Sequence, residues 1–196
     1  GGSVPRLPVP DESTVTASTL ETYWTGALSA WGIDLVKLGH HVESLPSGTA
    51  ITYGTAAVQD LKNYDVYIVD EPNIQYTASE KTAILNFVNN GGGLFMISDH
   101  TVSDRNNDGW DSPMIWNDLM TNNTVKANPF GFSVDLQNFS QTTTNVLTST
   151  TDPVANGPIG AVTSIMYSNG TTFTLDQAVN PAVKGIVWKT GVAQGN

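Results

Sequence analysis

Two apolar runs flanking one helical stretch constrain this chain more than any other feature. "YDVYIVDEP" (64–72) and "GGLFMISDH" (92–100) each read as a strand that is apolar along its length. Between them Thr77 and Glu80 stand at capping-box spacing ahead of "KTAILNFVNN", and Gly91 supplies the stop. Strand, helix and strand joined by short links point to parallel pairing, and continuously apolar strands are expected to be covered on both faces. The expected fold is therefore α/β, a flavodoxin-like layered sheet, mostly parallel, with helices on both faces.

The rest of the chain is read around that unit. Residues 1–18 hold a loop with three prolines, and "STLETYWTGALSAWGIDLVKLGH" follows with Ser18 and Glu21 as a first capping box and Gly39 as its stop. A short strand is expected around His41–Leu45. Asp111 or Ser112, with Pro113, opens a helix running to Met120. In the C-terminal half "SIMYSNGTTFTL" carries Asn169–Gly170, the turn pair of a β-hairpin, and "VKGIVWK" reads as a last strand. Doubly wound domains begin on a central strand, whereas this chain begins on a loop and a helix. A first strand missing from the chain is therefore expected, and a complementary segment of the same precursor is a candidate partner. The ends, "GGSVPRLPVPDEST" and "KTGVAQGN", fit either a processed piece of that precursor or a trimmed chain.

Composition limits what such a domain can do. With 196 residues there is enough chain for one domain with a core, and residues 1–196 are read as a single α/β domain. Eight bases stand against eighteen acids, a net charge of −10, which opposes a nucleic-acid surface. No run reaches the roughly 20 apolar residues of a membrane span. The absence of cysteine removes disulfides, thiolate nucleophiles and cysteine-based zinc sites. Only 13% of residues are charged, the polarity coming from Thr, Asn, Ser and Gly, a mix associated with exported bacterial proteins. A secreted or periplasmic location is expected.

Ligands of open α/β sheets bind beyond the carboxyl ends of the strands. One strand delivers Asp70 and Glu71 there, and the other Asp99 and His100, so four titratable groups are expected at one crevice edge. His100 is the histidine placed for general-base work, oriented by Asp99 or Asp70. His40 and His41 fall at the opposite edge and read as solvated or helix-capping residues. Beyond His100, "DRNNDG" (104–109) matches the first half of a calcium loop. Asp104, Asn106 and Asp108 are its alternating oxygen ligands, and Gly109 its sharp turn. The twelfth position is Ile115 rather than Glu, leaving Asp111 or Asp118 to supply a late carboxylate. Ca2+ or another divalent cation is the expected cofactor; zinc is disfavoured by the donor set. Ser98 lacks the glycines of a nucleophile elbow.

The stretch "YDVYIVDEPN…YTASEKTAILNFVNNGGGLFMISDH" resembles the class I glutamine amidotransferase-like fold, in particular its secreted and trehalose-utilisation-like branches, and "DPVANGPIG" (152–160) is similar to a loop of that group. The resemblance spans about residues 20–165 and is carried by 64–100. It implies the layered fold but not the activity, since the family's cysteine nucleophile has no counterpart here. Two functions are expected from these residues. One is a secreted metal-assisted hydrolase acting on a small-molecule or polymer substrate through the Asp/His site. The other is a calcium-stabilised module binding carbohydrate or protein, with Trp110 and Trp116 available to stack on a sugar.

Overall fold

The strand–helix–strand unit forms as its residues dictate. In a computed structural model describing residues 12–24, 28–148 and 151–195, β1 (Val66–Asp70) and β2 (Gly93–Ile97) pair in parallel, with Asp70 opposite Ile97. Helix α2 (Ala78–Asn89) links them. Its capping box is complete. Thr77 Oγ1 accepts from the Glu80 N–H at 3.3 Å, and Glu80 Oε2 accepts from the Thr77 N–H at 3.0 Å. At the other end Gly91, at φ +98°, lets its own N–H reach Val88 O and the Gly92 N–H reach Phe87 O, a Schellman closure.

Helix α3 (Ser112–Thr121) lies on the C-terminal side of β2 and buries Ile115, Trp116, Leu119 and Met120, while α2 buries Ile84, Leu85 and Phe87. Asp111 caps α3, accepting from the Met114 N–H at 3.2 Å, and Pro113 sits in the first turn. The helix also reads a strand edge. Asn117 donates to Val134 O and accepts from the Val134 N–H, both at 2.8 Å, completing β3 (Phe132–Val134) as a neighbouring strand would.

The mostly parallel, flavodoxin-like layering does not hold. The described strands form four two-stranded sheets, of which only β1–β2 is parallel. The others are antiparallel: β3 with β8 (Phe173–Leu175), β4 (Phe139–Thr143) with β7 (Ile165–Gly170), and β5 (Asn156–Gly157) with β6 (Gly160–Ala161). The described residues hold three α-helices in all. The apolar runs are not covered on both faces either, since Val66 is 55% and Phe95 50% exposed.

Three further expectations are corrected. The Asn169–Gly170 hairpin does not form. Asn169 has the positive φ (+53°), but β7 turns to β4, and β8 turns to β3 under the pull of Asp135, which accepts from Thr172 and Thr174 hydroxyls. The last strand is reduced to one bridge, Val146 with Val187. No strand forms at 41–45.

The chain divides into two compact units, Gly1–Ala50 and Ile51–Asn196; everything above belongs to the second. In the first, α1 covers only Ser29–Lys37, with residues 25–27 of the longer expected helix outside the described residues. Its stop works as read: Gly39, at φ +90°, allows the His40 N–H to bond Leu35 O at 3.0 Å. The Ser18 box fails because Thr16 and its neighbours bond locally instead, the Thr16 N–H donating to Thr19 Oγ1 at 2.8 Å. No described helix is long and apolar enough to cross a membrane.

Candidate functional site

The ends of β1 and β2 build one cleft. Asp70 closes β1, and Glu71 follows at φ +53°, its N–H donating to Ile97 O at 3.1 Å, so the ladder extends one step past the end of β1. That step places Glu71 beside Ser98, Asp99 and His100. These residues, with Ile97, Arg105, Ser168 and Asn169, line a cavity of about 420 Å³. All four strand-end residues singled out from the sequence are therefore brought together. A non-glycine residue with positive φ at the mouth of a cleft is a local cost that the surroundings must enforce.

Electrostatics organise the cleft around Arg105. Its guanidinium bonds Glu71 Oε1 through one nitrogen and Asp99 Oδ2 through the other, the latter at 3.3 Å. Burial pushes the Glu71 carboxyl up, and the Asp99 carboxyl within hydrogen-bonding reach pushes it further, against the opposing pull of Arg105. Glu71 is thus the carboxyl of the cleft held above its ordinary value, in contact with both Asp99 and Arg105.

His100 is held by its own loop. Nδ1 lies 2.5 Å from Thr101 O, and Nε2 lies 3.7 Å from Asp99 Oδ1. A carbonyl only accepts, so Nδ1 carries a proton, and Nε2 faces the Asp99 side of the cleft. Ser98 does not take a nucleophile's place: its Oγ donates to Asp99 O at 3.1 Å and lies 3.3 Å from Ser112 Oγ.

The half calcium loop folds as a turn that bonds itself. Asp104 accepts from the Asp108 N–H (3.2 Å) and the Gly109 N–H (2.8 Å), and Asp108 accepts from the Trp110 N–H (2.9 Å) and the Asn106 amide (2.8 Å). The Asn106 amide also reaches Asn73 O at 2.9 Å. Asp111 is not beside this turn's carboxylates but buried as the α3 cap, and Asp118 is bonded to Lys81. Among the described residues no group of three or more His, Asp or Glu side chains is placed to hold a metal ion. Trp116 is fully buried, donating to Ile97 O at 3.0 Å and packed 5.8 Å from the Tyr76 ring, so of the two tryptophans only Trp110 reaches solvent.

Three lining residues escaped the sequence reading. Arg105 is the one base between Lys81 and Lys126, inside an acidic stretch, and that isolation was a usable signal. Ser168 and Asn169 arrive from β7, about 70 residues away, and carry no local mark. His41 lies in the other unit, its ring nitrogens 2.9 Å from Glu12 Oε1 and 2.7 Å from Glu43 Oε1; His40 is exposed. In comparisons with known proteins the chain matches no family model, no curated protein and no solved structure.

Proposed function

We propose that the cleft at the ends of β1 and β2 is the active site of a hydrolase working by general acid–base chemistry. The observation that carries this reading is the meeting of His100 and Glu71 in one cleft, with His100 Nδ1 bonded to Thr101 O, which leaves Nε2 for a base's work, and the Glu71 carboxyl raised above its ordinary value. A water between them gives its proton to His100 Nε2, and the hydroxide oxygen adds to the substrate's carbonyl carbon. As the bond to the leaving group breaks, the Glu71 proton passes to that group. Asp99 stabilises the imidazolium, whose extra proton then passes to Glu71 and restores both groups. Arg105 and Asn169 line the same cleft and supply the N–H groups proposed to meet a developing oxyanion.

Three carboxyl groups against one guanidinium favour neutral or cationic esters and amides over phosphoesters. The turn at 104–109 keeps the spacing of a calcium loop but commits its carboxylates to its own N–H groups, which favours metal-free over metal-assisted chemistry. Export of the chain is proposed from its composition alone.

The test is a panel of ester, amide and phosphoester substrates, run with and without chelator. The expected result is chelator-insensitive turnover of an ester or amide, lowered roughly 10²- to 10⁴-fold by His100→Ala. Full turnover by His100→Ala would end the catalytic assignment, and loss of turnover with chelator would restore the metal-assisted form.

A further inference from the structure

The loop between His100 and α3 contains Val102 at φ +62°. A β-branched residue rarely adopts that conformation, and with 80% of Val102 exposed no packing of its side chain rewards it. The backbone is therefore held there by something else. Asp111 holds it: Oδ2 accepts from the Val102 N–H at 2.8 Å and from Thr101 Oγ1 at 3.0 Å, while Oδ1 caps α3. From the other side the Thr101 N–H donates to Gln137 O at 2.9 Å, and Ser103 Oγ donates to His100 O at 2.9 Å. The product of these bonds is the position of one atom, Thr101 O, against His100 Nδ1.

We infer that Asp111 and Thr101 are positioning residues that select the Nδ1–H tautomer of His100, with the strain at Val102 as the cost of doing so. One carboxylate thus couples the start of α3 to the protonation pattern of the cleft. A free histidine side chain prefers the Nε2–H tautomer, so the carbonyl must be held in place for Nε2 to present its lone pair. The inference rests on the proposed acid–base reading for its meaning in turnover, but its geometry is read independently.

The experiment is long-range ¹H–¹⁵N NMR on the histidine-labelled chain at a pH where His100 is neutral, comparing wild type with Thr101→Val, Thr101→Ser and Asp111→Asn. Wild type is expected to show Nδ1 protonated. Thr101→Val removes the hydroxyl that Asp111 holds, and should move the tautomer ratio roughly three- to tenfold toward Nε2–H, the weight of one net hydrogen bond. Thr101→Ser keeps the hydroxyl and should restore the wild-type ratio. In Asp111→Asn the amide nitrogen must face either the loop donors or the Met114 N–H. A cap that survives with a shifted ratio supports the inference. If Asp111→Asn fails to fold, the threonine pair decides alone. A wild-type chain already in the Nε2–H form, or a folded Thr101→Val with an unchanged ratio, overturns the inference. Should the ratio behave as stated while His100→Ala retains full turnover, it is the hydrolase reading that fails and not this one.

Discussion

Lys81 and Asp118 form a buried ion pair between α2 and α3, the side chains 6% and 7% exposed and Nζ 2.9 Å from Oδ2. The two halves are not equally supported. Asp118 also accepts from the Asn122 amide (3.0 Å) and the Gln75 amide (3.2 Å), whereas Asp118 is the partner described for Lys81. Lys81→Met thus leaves a carboxylate with two donors still in place. Its expected cost is about 2 kcal/mol, one charge-assisted hydrogen bond. Asp118→Leu leaves an ammonium buried without its acceptor and should cost about 3–5 kcal/mol. The double variant removes both charges; Asn122 is exposed and turns to water, so only the half-buried Gln75 amide loses a partner. Its cost should stay below about 2 kcal/mol, giving a coupling of at least about 3 kcal/mol. Urea unfolding at pH 7 measures all four chains, provided m is constant. Additive costs, or a Lys81→Met variant as damaged as Asp118→Leu, would refute the asymmetry. Burial pushes the Asp118 carboxyl up, but the bonds from Lys81, Asn122 and Gln75 outweigh it and hold the group below its ordinary value. Its contribution is therefore present above the unfolded value near ~4 and lost as pH falls below it. Asp118→Leu should flatten that acid limb.

Glu71 titrates in the opposite sense. Its raised carboxyl gives stability that is complete below the unfolded value and lost as pH rises through the folded one; turnover should fall along the same limb, and Glu71→Gln should remove it from the pH–rate profile. Val102→Gly relieves a left-handed β-branched residue with little packing to lose, and should stabilise the chain by about 1 kcal/mol in the same urea assay; destabilisation would mean the loop is not strained there. His41 is bonded to carboxylates at both ring nitrogens, which requires imidazolium, and the bonds from Glu43 and then Glu12 raise its pKa. The Val42 N–H, bonded to Glu12 Oε1 at 2.5 Å, should therefore be protected from exchange below about pH 6.5 and lose protection as pH rises through the raised value, an effect absent in His41→Gln.

Local chemistry was legible in the residues alone. The Thr77–Glu80 box, the Gly39 and Gly91 stops, the Asp111–Pro113 start and the parallel β1–β2 pair all follow from interactions within a few residues or across one short link. Because the parallel register is set by the same unit, Asp70, Glu71, Asp99 and His100 were bound to meet at one edge. What lay beyond reach was everything decided by distant partners. The Asn169–Gly170 turn has the local chemistry of a hairpin, yet β7 and β8 each find a better partner more than twenty residues upstream. The spacing of a calcium loop says where oxygens sit in sequence, but whether they face a cation or their own N–H groups depends on how the turn closes. Asp111 could be read as a ligand or a cap from the sequence. Only the tertiary structure makes it the residue that joins a helix start to a strained loop and, through Thr101, to His100, because hydrogen bonds between segments are satisfied by geometry that no local pattern encodes.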